Sequence, residues 1–132
     1  ALAGGDIWKL IRHVDVLLSL HRSEGFGLTM AEAMACGVCV MATAYSGNLD
    51  FMDDQSACLI PAAETDVGGN AGLYSQVPGA KWAEPDLELA AEKLRYLADN
   101  PDVRLAIGRA GRDRILSHAD WLSYLDALKS DQ

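Results

Sequence analysis

Apolar residues follow two different rhythms along this chain. In the first half they come in short unbroken runs: "DVLLSL" at 15–20, "VCVMAT" at 38–43 and "ACLI" at 57–60. A short apolar run without polar alternation predicts a strand buried on both faces, the habit of parallel sheets. Between the first two runs, "LTMAEAMAC" at 28–36 reads as a helix, and Gly37 is the left-handed residue expected to end it. A short helix is expected at Gly5–Arg12, before the first strand. "YSGNLDFMDDQ" reads as a loop with one helical turn, and Pro61 stops the third strand. Strand, helix, strand, turn, strand is the order of a parallel sheet with right-handed crossovers.

The second half changes period. Residues 61–84 contain glycines, Pro61 and Pro78, show no regular period, and are expected to form a long surface loop. From Pro85 onward the spacing is helical: "PDLELAAEKLRYLADN", with Pro at its first turn, then "PDVRLAIGRAGRDRILSH", then "WLSYLDALK". His118 and Trp121 are expected to pack among these helices. The fold class expected is α/β: a partial Rossmann-like parallel sheet with flanking helices and a helical C-terminal section, one domain across residues 1–132.

The 132 residues suit one domain of modest size, and half of them are hydrophobic. The net charge of −8 argues against nucleic acid and anionic lipid as partners. No apolar run approaches the roughly 18 residues of a membrane span, so no membrane contact is expected from this segment. No basic stretch followed by an apolar one opens the chain, so no signal peptide is expected. Three cysteines, an odd number, read as reduced thiols in a cytoplasmic protein. The chain opens in "ALAGGD" without Met, and is expected to be a fragment of a longer protein.

The candidate chemistry sits in "HRSEGFGLTMAEAMACG", residues 21–37. This loop leaves the carboxyl end of a parallel strand and opens a helix, the place where doubly wound sheets bind ligands. Free N–H groups in the first helical turn suit a phosphate, and Gly25 and Gly27 let backbone donors come close. Thr29 adds a hydroxyl. Glu24 precedes the glycines, and Glu32 lies one turn inside the helix, leaning back toward the loop. Two carboxylates flanking an anion site suit a ligand with hydroxyls on both sides of its phosphates, because a carboxylate accepts two bonds from a vicinal diol. A nucleotide sugar has that layout. The plainer alternative is a helix-start acid and a loop acid that complement the helix dipole and nothing more. Spacing alone does not decide, since Glu84 and Glu92 are also eight apart; on a helix without a glycine loop they read as a solvated face.

Other patterns are weaker. "CGVC", Cys36–Cys39, has thiol–disulfide spacing, but it follows a helix instead of opening one, so the dipole has the wrong sign to activate a thiol. "GFGLTM" lacks the third glycine of a dinucleotide fingerprint, Met30 standing there. His21 and Arg22 could touch phosphate or simply lie exposed. Ser46 and Gly47 follow the next strand and are expected to line the same crevice.

"SEGFGLTMAEAMACGVCVMATAYSGNLDFM" resembles the donor-binding segment of GT-B glycosyltransferases of the family-4 type, the glycosyl transferases group 1. The hallmark is Glu, seven residues, Glu, here Glu24 and Glu32. "YSGNLDFM" and "WAEPDLELAAEKLRYL" are similar to a subset acting in cell-envelope polysaccharide synthesis. The resemblance runs from about Asp6 to Ser117. It implies a retaining transferase that uses a GDP- or UDP-sugar donor and needs no metal or other cofactor. It also implies roles. Glu24 faces the donor sugar as the catalytic carboxylate; Gly25, Phe26 and Gly27 offer N–H groups; Leu28 and Thr29 hold the diphosphate; Glu32 takes the ribose hydroxyls. Asp50 stands where many members carry Glu. The resemblance covers only the later part of the C-terminal domain, so the acceptor domain and the diphosphate-binding Arg and Lys of the first strands lie outside it. The alternative function is a stand-alone nucleotide-sugar-binding or interaction module without catalysis.

Overall fold

The computed structural model describes residues 4–68, 72 and 77–118. Helix α1 (Gly4–Ile11) leads to β1 (Val16–Ser19), α2 (Leu28–Ala35) and β2 (Cys39–Thr43). A 3₁₀ turn (Gly47–Asp50) precedes β3 (Cys58–Ile60). β4 (Ala62–Asp66) and β5 (Lys81–Pro85) follow, then α3 (Leu87–Asp99) and α4 (Pro101–Ser117). The third helix expected from "WLSYLDALK", with Trp121, lies outside the described residues.

β1, β2 and β3 form one parallel sheet in that order, with Val16 opposite Cys39 and Met41 opposite Cys58. β2 is central and all five of its residues are buried. Its alternation explains the unbroken apolar run. Val40 and Ala42 pack with Met30, Ala33 and Met34 of α2 and Ile115 of α4, while Cys39 and Met41 pack with Ile60 and with Ala90 and Leu97 of α3. Both faces are covered, so both sets are apolar, with Thr43 at the end of the strand the one buried polar residue of β2.

Helix α2 ends as its sequence requires. Gly37 has φ 76°, its N–H reaches the Met34 carbonyl, and the Val38 N–H reaches the Ala33 carbonyl. This is a Schellman closure, which turns the chain straight into β2.

Four expectations are corrected. Residues 61–84 are not irregular throughout: β4 and β5 pair antiparallel, Ala62 opposite Pro85 and Asp66 opposite Lys81. Pro85 is therefore the last residue of a strand, not a helical first turn. The helix starts after Asp86, whose carboxylate accepts from the Leu89 N–H at 2.9 Å, so the aspartate of "PD" supplies the cap. Glu84 accordingly belongs to β5, while Glu92 does lie exposed on α3. His118 is exposed at the end of α4.

Helix α4 crosses the domain closely because of two glycines. A Cβ on Gly108 would collide with the Gly37 carbonyl, and one on Gly111 would stand 2.8 Å from the Ser56 carbonyl oxygen. Its arginines then bind carbonyls exposed where other segments end. Arg104 donates to Leu97 O at 2.7 Å, Arg112 to Ala35 O at 3.1 Å and Arg114 to Phe51 O at 2.9 Å. Such bonds satisfy acceptors that the end of a helix leaves open.

Candidate functional site

The β1–α2 loop and the segment after β2 both leave the carboxyl ends of adjacent parallel strands. The distance between them is set by Gly47. A Cβ there would collide with the Gly25 carbonyl and come within 3.1 Å of Phe26 Cα. Both neighbours are backbone and cannot rotate away, so only glycine permits the approach. Phe26 and Phe51 add a ring contact, with centroids 5.0 Å apart.

Ser46 joins the two segments. Its Oγ accepts from the Glu24 N–H at 3.2 Å and donates to the Glu24 carbonyl at 2.5 Å. The Gly47 N–H also donates to that carbonyl, at 3.3 Å. Ser46 has φ 82° and ψ −155°, a region populated almost only by glycine. Holding a side chain there costs about 1–3 kcal/mol, which the surrounding bonds must offset.

Beside this junction is a crevice of about 420 Å³, lined by Leu17, Leu18, Ser19, Glu24, Phe26, Gly27, Leu28, Thr29 and Met30. Five of the expected residues, Glu24, Phe26, Gly27, Leu28 and Thr29, thus meet at one opening. Gly25 is exposed on the loop, and its N–H donates to Glu24 Oε1 at 3.1 Å. Ser46 and Gly47 stand behind Glu24 and support it; they do not line the crevice. Helix α2 opens at Gly27, with φ 92° and no side-chain cap, and its first turn carries no acid. Its first N–H groups and the positive end of its dipole therefore meet the crevice without a competing anion from the helix itself.

Glu32 is not among the lining residues. Leu28, four residues earlier, takes the same face of α2 one turn nearer the mouth. Glu32 is half-buried, and burial holds its carboxyl above the usual glutamate range. It makes no side-chain hydrogen bond among the described residues.

Arg22 turns away from the crevice to the β4–β5 hairpin. Its guanidinium lies 3.0 Å from the Glu84 carboxylate and 4.8 Å over the Trp82 ring, and its carbonyl accepts from the Ala83 N–H at 2.8 Å. The hairpin also meets the second segment, where the Tyr45 hydroxyl donates to Glu64 at 3.2 Å. No lysine or arginine is among the residues lining the crevice.

His21 is engaged too, with Ser19, the Tyr45 carbonyl and Asn48. Asn48 went unnoticed in the sequence; its one signal is a polar residue directly after Gly47, in the segment that follows a buried strand. Cys39 and Cys58 are unsuited to thiolate chemistry, since burial pushes the Cys39 thiol up to about 11 and raises Cys58 as well. No cluster of three His, Cys, Asp or Glu able to hold a metal occurs among the described residues. No described helix is long and apolar enough to cross a membrane.

The family model for glycosyl transferases group 1 matches residues 2–114. The D-inositol 3-phosphate glycosyltransferase of Saccharomonospora viridis is 30% identical over 126 residues, which are 95% of this chain and 24% of that protein. The sucrose-phosphate synthase of Thermosynechococcus elongatus shares the fold, with a TM-score of 0.58 and 22% identity over 89% of this chain and 25% of that one. The chain belongs to the glycosyl transferases group 1, a family of GT-B transferases. It spans about a quarter of the length of these relatives.

Proposed function

We propose that this crevice receives the diphosphate-sugar part of a nucleotide-sugar donor, within a larger retaining glycosyltransferase of cell-envelope polysaccharide synthesis. One observation carries the reading: Ser46 clasps Glu24 at the mouth of a helix whose N-terminus has no side-chain cap. Anionic phosphates meet N–H donors there, and the Glu24 carboxylate stands beside them for the sugar. As the diphosphate leaves, positive charge grows on the sugar ring, and a fixed carboxylate stabilises that charge more than the ground state. The Gly25 N–H holds the Glu24 carboxylate, and the amides of Phe26, Gly27, Leu28 and Thr29 take up the leaving charge, so the chemistry proceeds without a metal or other cofactor. Glu32 takes the ribose diol. Its carboxylate is desolvated and makes no hydrogen bond among the described residues, and two hydroxyl donors would relieve that cost.

Kinetics of the full-length enzyme test the assignment. Glu24→Gln keeps shape and removes charge, and is expected to lower kcat more than it raises donor KM. Glu32→Ala is expected to weaken donor binding, by about 1–3 kcal/mol for a charged hydrogen-bonding group. A kcat within about twofold for Glu24→Gln, with turnover abolished in Glu32→Ala at saturating donor, would reverse the roles and sink the assignment.

A further inference from the structure

Glu24 is held by Ser46, and Ser46 is held in a conformation it would not choose. The support behind it is a polar chain starting at β1. His21 Nε2 lies 2.9 Å from the Tyr45 carbonyl and 3.1 Å from Asn48 Oδ1. Asn48 is fully buried, and its amide N–H donates to the Thr43 carbonyl at 3.0 Å, which turns its oxygen toward His21. Both partners of Nε2 are then acceptors, so Nε2 carries the proton. Nδ1 faces the Ser19 hydroxyl at 3.2 Å, which can donate to it. The Tyr45 carbonyl belongs to the peptide that enters Ser46. Ser46 is the one non-glycine residue with positive φ among the described residues.

We propose that His21 is a positioning residue for the transferase site: its Nε2–H fixes the Tyr45–Ser46 peptide, and Ser46 thereby sets Glu24. The inference rests on the reading of Glu24 given above. The physical logic is that a sparsely populated backbone conformation persists only where its surroundings over-determine it. Two bonds from Ser46 Oγ hold one side of the residue, and His21 with Asn48 holds the other. Glycine at 46 would adopt this backbone freely but would leave Glu24 without its hydroxyl partner. Serine provides the hydroxyl and therefore needs the histidine.

The test uses the full-length enzyme with its donor, and four variants: His21→Gln, His21→Asn, Glu24→Gln and the double variant His21→Asn/Glu24→Gln. A glutamine amide reaches about as far as Nε2, whereas an asparagine amide stops near Nδ1. His21→Asn is expected to lower kcat about tenfold with donor KM changed less than about threefold, and His21→Gln to recover most of the loss. The double variant is expected to be little slower than Glu24→Gln alone, because both lesions act through one group. Circular dichroism and thermal unfolding confirm that each variant is folded, and His21→Gln still reads the effect if His21→Asn does not fold. Equal kcat loss in the Gln and Asn variants, or a rise confined to donor KM, overturns the positioning role. Full additivity with Glu24→Gln does so as well, while leaving the reading of Glu24 standing. A Glu24→Gln variant with unchanged kcat overturns that reading instead, and the positioning role with it.

Discussion

Two places in this domain bring backbone against backbone through a missing side chain, and they are held in opposite ways. At the crevice, Gly47 approaches the Gly25 carbonyl, and polar bonds from Ser46 fix the contact among exposed and half-buried residues. At the far end of α2, Gly108 of α4 approaches the Gly37 carbonyl beside the buried core around Met34 and Ile115. The first contact joins two loops and fixes the Glu24 backbone. The second docks a helix and closes a core. The same glycine device therefore serves geometry in one place and stability in the other, and substitution should separate them.

The largest expected effect is at Gly47. Gly47→Ala in the full-length enzyme should lower kcat/KM by about 10²-fold, the order that a shift of about 1 Å produces in a positioned site, with the fold retained. Activity within a few fold of wild type would show that the loop approach does not matter to the site. Next comes Gly108→Ala. Alanine normally gains about 1 kcal/mol over glycine inside a helix, but overpacking costs about 1–3 kcal/mol. The obstacle here is a carbonyl that cannot rotate aside, so the upper part of that cost applies, and a net loss of about 1–2 kcal/mol in urea unfolding is expected with kcat unchanged. A stabilised variant would mean that α4 can slide away.

Smaller effects follow from two carboxylates with opposite shifts. Asp53 accepts from the Ser56 hydroxyl at 2.7 Å, and this bond most of all lowers its pKa; Arg114, also at 2.7 Å, adds to the effect. A depressed carboxylate stabilises the fold above its ordinary value of 3.8, and the contribution is lost as pH falls through the folded value. Asp53→Asn should cost about 1 kcal/mol at pH 7, less near pH 3, as read by urea midpoints at both. Glu32 has the reverse sign. Its folded pKa is raised by burial, so the stability it brings is present below 4.5 and lost as pH rises through the folded value. Glu32→Gln should thus stabilise the donor-free domain at pH 7, by less than about 1 kcal/mol after solvent screening, and this gain should vanish near pH 3. A destabilised Glu32→Gln at pH 7 would point to a partner for the carboxylate within the protein.

What the sequence made legible was the part governed by local rules. The run "VCVMAT" could only be a strand covered twice, and Gly37 could only be a left-handed stop. The glycine loop after a buried strand identified the crevice. The β4–β5 hairpin was not legible because β4 is Ala-Ala-Glu-Thr-Asp, largely exposed, and pairs with a segment some fifteen residues on. Nothing apolar marks such a strand, and its pairing with β5 defines it. In "PD", two helix-start signals competed, and the aspartate cap placed the first helical residue at Leu87, two residues later than the proline did. Glu32 was expected at the mouth because helical side chains lean toward the N-terminus. That rule gives direction but not what stands in between, and Leu28 takes the nearer place. Gly47 was expected to line the crevice; that it sets the spacing of two loops depends on atoms distant in sequence.

The sheet order leaves β1 outermost, with Leu18 48% exposed and no strand beyond it among the described residues. A strand so placed offers a row of unpaired peptide N–H and C=O groups to whatever arrives first. Prepared as an isolated segment, this chain is expected to pair β1 with β1 of a second copy. Such material would sediment as dimers and higher oligomers at raised concentration, and a lysine in place of Leu18 would return it to monomers.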